Sequence, residues 1–249
     1  MAKRIALQLF GHLRTYELTC LSLYTNVVVP NVKDGYIIDF FIHTWDKLDT
    51  SNYGWEHVKT EGLIDINVTE DTLKNVYKLY NPKKLLVESQ DPNTEKGAME
   101  WMMHTMLGVQ ELRKEYEKEN NINYDWIIWT RPDILFLSEF RIDSYIKTYE
   151  DAHNGIVNLE LRKFDTPYDA LFCGNNIFGR PDLNLIDPRE VPERDLIWFA
   201  KPDVPPPRAS NAMTISLHYR LGSDFVVVRS NNRTYPAIQE LKVGYALQQ

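Results

Sequence analysis

Arg131 and Asp133 stand two residues apart where the apolar run 126–129 gives out, and that placement is the first chemical signal in the chain. Pro132 between them fixes its own φ, pushes Arg131 toward extended geometry and removes a backbone donor, so a central strand has to stop near Thr130. A guanidinium at such an edge can fork onto phosphate oxygens, and a carboxylate there can hold a divalent cation. Two further groups gather where apolar runs end. Gly11 and Arg14 follow the run 4–10, and His43 and Trp45 close the run 36–46. A Gly turn leading into a helix N-terminus favours anions, and Arg14 adds a full charge there. His43 can hydrogen-bond a base or hydroxyl, and Trp45 can stack on a ring. Each residue has a plainer structural role open to it: a surface ion pair, a charge on a first helical turn, a satisfied histidine, a packing tryptophan. Their common position at strand ends favours ligand binding, because open α/β sheets bind ligands at their carboxyl edge.

The elements that would position these groups alternate along the chain. Residues 4–10 read as a strand covered on both faces. Thr15 is a candidate N-cap for a helix from Tyr16 to about Val29, which Pro30 is expected to end. Residues 36–46 form a second strand, 69–80 a helix with Leu73, Val76, Tyr77 and Tyr80 at helical spacing, and 84–88 a short strand. The long helix 97–120 carries a core stripe that includes Trp101, Thr105, Met106 and Val109. Strands separated by helices argue for a mostly parallel sheet with helices on both faces. Further on, strands are expected at 155–161, around 168–180 and at 224–228, and a helix over Ala209–Leu221. The proline-rich stretch 181–207 reads as a loop-rich lid or acceptor-binding segment with a short apolar interruption at 196–200.

At 249 residues the chain suits one α/β domain, with 1–180 as a core and 181–249 as a loop-rich segment with a C-terminal strand and tail. A net charge of -7 argues against a nucleic-acid partner, which requires a basic footprint. No stretch of about 18 apolar residues occurs, so a transmembrane segment is not expected, and the N-terminal run does not resemble a signal peptide. Those features predict a soluble, cytoplasmic protein with Cys20 and Cys173 reduced.

The motifs at 9–15 (Leu-Phe-Gly-His-Leu-Arg-Thr), 39–45 (Asp-Phe-Phe-Ile-His-Thr-Trp), 124–126 (Tyr-Asp-Trp) and 130–133 (Thr-Arg-Pro-Asp) together resemble bacterial and viral nucleotide-sugar glycosyltransferases of the GT-A type. Their order and spacing carry the resemblance, which covers roughly residues 1–180. It implies a Rossmann-like α/β fold that binds a sugar nucleotide, such as a UDP or GDP sugar, and passes the sugar to a hydroxyl of a glycan or other acceptor. In that family an Asp-x-Asp pair holds Mn²⁺ or Mg²⁺ against the diphosphate. Here Arg131 replaces the first carboxylate. Asp133 then coordinates a cation alone among the pair, or Arg131 offsets the diphosphate charge without metal, or Arg131 turns inward to pair with Asp133. The resemblance also suggests a histidine near the C-terminus as a further metal ligand, and His218 is the histidine in that region. An inverting transferase needs a base for the acceptor proton, for which Asp169 and Asp195 are the candidates, with Glu193 behind them. The nucleotide would lie against Gly11, Arg14, His43, Trp45, Arg131 and Asp133. Two other classes fit parts of the pattern: a non-catalytic nucleotide- or carbohydrate-binding module, and a sugar nucleotidyltransferase, for which the Gly11–Arg14 turn is sparse in glycine and lacks a lysine.

Overall fold

In the computed structural model the first apolar run becomes β1 (Lys3–Phe10), buried from Ile5 onward. The structure describes residues 2–51, 62–91, 93, 96–136, 139–144, 146–147, 171–173, 197–203, 214–216 and 227–229. After β1 come α1 (Tyr16–Leu23), a π-helical stretch (Tyr24–Val28) and α2 (Val29–Lys33). Pro30 therefore lies inside a helical run that the sequence expectation had it terminate. Proline cannot donate to the carbonyl four residues back. That carbonyl, of Asn26, instead accepts the Phe140 N–H at 2.6 Å, and Asn31 Nδ2 donates to the carbonyls of Val27 and Phe140, both at 2.7 Å. Tertiary partners thus satisfy the backbone that the proline leaves open. Thr15 occupies the N-cap position of α1, but its side chain makes no capping hydrogen bond.

The chain continues through β2 (Tyr36–Trp45), α3 (Glu70–Tyr80), β3 (Lys84–Glu88), α4 (Ala98–Asn120) and β4 (Trp126–Thr130). At the start of α3, Thr69 and Thr72 cap each other's backbone reciprocally. β4 stops at Thr130, one residue before the Arg131-Pro132 step. The next apolar run forms β5 (Ile134–Phe136), which leaves the main sheet and pairs antiparallel with β9 (Val227–Arg229).

The main sheet also takes β6 (Leu171–Cys173), β7 (Ile197–Ala200) and β8 (Thr214–Ser216), in the order β3-β2-β1-β4-β7-β6-β8. The first four strands are mutually parallel, β7 runs antiparallel to both β4 and β6, and β8 is parallel to β6. The fold is α/β with a mostly parallel sheet. Two expectations are corrected here. The apolar interruption at 196–200 is no part of a lid: Ile197–Ala200 is a fully buried strand beside β4. Residues 214–216, expected within a helix, are a strand, as the β-branched pair Thr214-Ile215 favours once a neighbouring edge is available.

Alternation along β1, β2 and β4 sorts the core into two layers. Ile5, Leu7, Leu9, Phe40 and Ile42 join the layer with α1 residues Cys20 and Leu23 and α3 residues Val76 and Tyr80. Ala6, Phe10, Phe41, Ile127 and Trp129 join the layer with Met106 and Val109 of α4. Trp129 is wholly buried, and truncating it to alanine would cost about 3–5 kcal/mol. Helices α1 and α3 thus cover one face and α4 the other. The winding direction reverses between β1 and β4, which makes the carboxyl ends of those two strands the switch point of the sheet.

Candidate functional site

Gly11 and Arg14 leave the carboxyl end of β1, and both have positive φ, 89° and 45°. For Arg14, which carries a Cβ, the left-handed region costs about 1–2 kcal/mol. Hydrogen bonds hold this conformation. The Gly11 N–H donates to the His43 carbonyl at 3.1 Å, and the Arg14 N–H donates to the Leu48 carbonyl at 3.0 Å. The turn after β1 is thereby tied to the chain leaving β2, and the Arg14 side chain crosses the switch point toward β4.

There it meets Asp133. Arg14 donates to Asp133 Oδ2 at 3.0 Å, while Arg131 grips the same carboxylate with two nitrogens, Nε at 2.8 Å from Oδ1 and a terminal nitrogen on Oδ2. Arg14 Nε also lies 3.0 Å from Asp49 Oδ2, at ion-pair distance but outside hydrogen-bond alignment. None of the four residues is more than 7% exposed. Two guanidinium groups and two carboxylates therefore balance one another in a buried network.

His12 lies beside it. Its Nδ1 donates to the Lys47 carbonyl at 3.0 Å, and its buried Nε2 has no hydrogen-bond partner among the described residues. Burial lowers the pKa of this imidazole below its ordinary 6.5, against the Lys47 carbonyl and Asp49, which act to raise it. At neutral pH His12 is uncharged and presents a lone pair on Nε2.

His43 and Trp45 belong to a second cluster, on the α4 face at the ends of β2 and β3. The register sets Trp45 opposite Glu88, the last residue of β3. His43 Nε2 lies 3.0 Å from Glu88 Oε2, and His104 Nε2 reaches the same oxygen at 2.6 Å. The three ligand-capable atoms all lie within 4.8 Å of one another. His43 is 1% exposed, whereas the Glu88 and His104 side chains are 37% and 39% exposed, so one side of the cluster opens outward. Burial lowers the His43 pKa despite the adjacent Glu88. Burial alone would raise the Glu88 carboxyl, but the His104 hydrogen bond and the two imidazoles bring it below its ordinary value.

Aromatic rings fix the imidazoles. Trp45 stacks on His104 at 5.8 Å and 15°, and Trp101 meets both Trp45 and His104 edge-on at 5.2 and 5.7 Å. On α4, Gly108 leaves the space that His43 occupies: a Cβ there would stand 2.1 Å from His43 Nδ1.

Residues 1–155 match the family model described as "Domain of unknown function (DUF7796)". The chain belongs to that family. The DUF7796 span covers more than half of the 249 residues and holds both clusters entire. No curated protein matches the chain.

The six residues expected around the nucleotide thus fall into two groups on one sheet edge. Gly11, Arg14, Arg131 and Asp133 meet at the switch point, while His43 and Trp45 join Glu88 and His104. A cation at Asp133 would have to displace arginine nitrogens that already occupy both carboxylate oxygens. Asp169, Asp195 and His218 lie outside the described residues and also outside the DUF7796 span. His12, Asp49, Glu88, His104 and Gly108 were not anticipated as site residues. Glu88 ends a strand just as His43 and Trp45 do, and His104 falls one helical turn from both Trp101 and Gly108; those were the available signals. Asp49 lies in an aperiodic connection and left none. Among the described residues, no helix is long and apolar enough to cross a membrane.

Proposed function

We propose that this DUF7796 protein is a glycosyltransferase of Rossmann-like GT-A architecture that moves a sugar from a nucleoside-diphosphate donor to a hydroxyl of a glycan or related acceptor. The observation that carries this reading is the convergence of Arg14 and Arg131 on Asp133 at the switch point between β1 and β4. A departing diphosphate needs fixed positive charge in a site that excludes water, and two guanidinium groups on strand ends supply it. In this reading the diphosphate oxygens exchange with Asp133 and Asp49 for the arginine forks, and Gly11 lets the backbone approach them. His12 offers a neutral Nε2 for the acceptor proton alongside Asp169 and Asp195. With Cys20 a free buried thiol, a cytoplasmic setting belongs to the same proposal.

A second reading, a non-catalytic nucleotide- or carbohydrate-binding module, is favoured by the charge balance of the network, in which both arginines already have carboxylate partners.

One experiment separates the two. Thermal melting with UDP, GDP, CMP and TDP, each with Mn²⁺ or with EDTA, should show stabilisation by UDP or GDP. A nucleotide at about 100 times its Kd adds about 2.7 kcal/mol, which for a chain of this size raises Tm by roughly 5–10 °C. Release of free sugar from the matching donor then identifies the transferase. A nucleotide-induced shift with no donor turnover identifies a nucleotide-binding module, and no shift with any nucleotide rules out the transferase.

A further inference from the structure

The cluster at the ends of β2 and β3 has a chemistry that neither reading of the switch point uses. Two imidazole nitrogens from different elements, β2 and α4, point at one oxygen of Glu88 on a third element, β3. The geometry points to a binding site for a divalent transition-metal cation of the zinc type, held by His43, Glu88 and His104.

Ligand type supports that class of ion. Two nitrogens and one carboxylate suit zinc and its first-row neighbours, whereas Ca²⁺ and Mg²⁺ demand shells of oxygen. Distances support it as well. Around a tetrahedral ion with ligands at about 2.0–2.1 Å, ligand atoms stand about 3.3 Å apart. The Glu88 oxygen lies 3.0 and 2.6 Å from the two imidazole nitrogens. Opening these distances to that spacing, by about 0.3 Å for the first and about 0.7 Å for the second, falls to Glu88 and His104, whose side chains are the exposed members. Each ring must release Nε2 to the metal, its proton moving to Nδ1 or to water.

The surroundings are those of a positioned ligand set. His43 is locked between its strand and Gly108, and His104 is stacked on Trp45 and edged by Trp101. Three protein ligands with one open side leave a coordination position for water or a substrate oxygen, as in catalytic zinc sites and unlike closed structural ones. The site stands whether or not the protein transfers a sugar, because it shares no residue with the arginine network.

The test uses the full-length protein, stripped of metal with a chelator. Calorimetric titration with Zn²⁺ and visible absorption with Co²⁺ read binding directly, with Mg²⁺ as the comparison ion. The expected result is saturation at one equivalent of Zn²⁺, a Co²⁺ spectrum of four- or five-coordinate intensity, and no response to Mg²⁺. His104→Ala and Glu88→Gln change half-exposed side chains and should keep the far-UV circular dichroism of the parent. Loss of an outer-shell partner alone costs about 10–100-fold in metal affinity, so each variant should lose at least that much. Lack of saturable binding in the parent, or undiminished one-equivalent binding in either folded variant, overturns the site.

Discussion

The switch-point network and the imidazole cluster sit on the same edge of the same sheet, yet they manage charge in opposite ways. Arg14, Arg131, Asp49 and Asp133 are buried and mutually neutralised, and both Asp133 oxygens already accept from the arginines. His43, Glu88 and His104 combine one buried and two half-exposed groups, and three potential ligands converge on one small volume. The first arrangement holds loops together across the point where the sheet reverses its winding. The second leaves ligand atoms facing outward between aromatic walls. Position at a strand end is therefore only half of a site; the other half is whether the donors and acceptors there are already committed.

The most forceful way to break this contrast is to remove Asp133. Asp133→Ala leaves two buried guanidinium groups short of a counter-charge, and breaking a buried pair costs about 3–5 kcal/mol. Denaturant unfolding should show that loss, while Glu88→Gln, in the open cluster, should leave stability within about 0.5 kcal/mol. Comparable losses in the two variants would erase the distinction. Asp133→Ala is for this reason a poor probe of turnover alone, since it removes a structural counter-charge together with any catalytic role.

Gly108→Ala probes the open cluster from behind. The new methyl would collide with the His43 ring, whose Nδ1 and Cε1 lie 2.1 and 2.6 Å from its ideal position. Overpacking of that kind costs about 1–3 kcal/mol, offset by about 1 kcal/mol of helix propensity. The expected outcome is a net loss of about 1 kcal/mol together with a fall of at least tenfold in Zn²⁺ affinity. Unchanged affinity would show that His43 is not held where it must be to ligate.

Much of the fold was legible because apolar runs and helical spacing are local. β1, β2, β3, α3, α4 and the end of β4 fall within a residue or two of expectation, and Pro132 correctly marks where β4 stops. What could not be read depends on distant partners. Pro30 stays in a helix because Phe140 takes the carbonyl it leaves open. Residues 197–200 look like a break in a loop until β4 is there to pair with them. The same holds for the sites. Gly11, Arg14, Arg131 and Asp133 signal themselves as breaks at strand ends, but no pattern reveals that Arg14 and Asp133 meet 119 residues apart in sequence. The stripe on α4 is core over most of its length, and His104 becomes distinct from it only when β3 delivers Glu88.

His12 offers a gentler test, through pH. Its pKa is lowered in the folded protein, chiefly by burial, so below the ordinary 6.5 the unfolded chain binds more protons than the folded one. The contribution of the neutral ring is present above pH 6.5 and is lost as pH falls from there toward the lowered value. His12→Asn, which can still donate to the Lys47 carbonyl, should flatten the fall in stability on the acid side of that point. The flattening is partial, because burial lowers His43 in the same direction. An acid limb identical to the parent's would mean that His12 is not buried as a neutral base beside the network.

The smallest expected effect lies at the rim of the open cluster. Lys96 Nζ sits over the Trp101 ring at 4.6 Å, and Trp101 meets His104 at 5.7 Å, so the ammonium is at most about 10 Å from that imidazole. A unit charge about 10 Å from a divalent ion in water contributes about 0.8 kcal/mol, and as a cation it opposes an incoming metal ion. Lys96→Met should therefore tighten Zn²⁺ binding about fourfold at low salt, with the gain fading as ionic strength rises through the range where the Debye length shrinks below about 10 Å. The same substitution cannot act on the Arg14–Asp133 network through contact, and a buried pair is screened little by salt, so the stability of that network should stay unchanged across the same titration. A salt-dependent gain at the histidines beside a salt-independent network would express the difference between an open and a closed cluster in a single series. A loss of Zn²⁺ affinity would instead mean that Lys96 holds Trp101, and through it His104, in place.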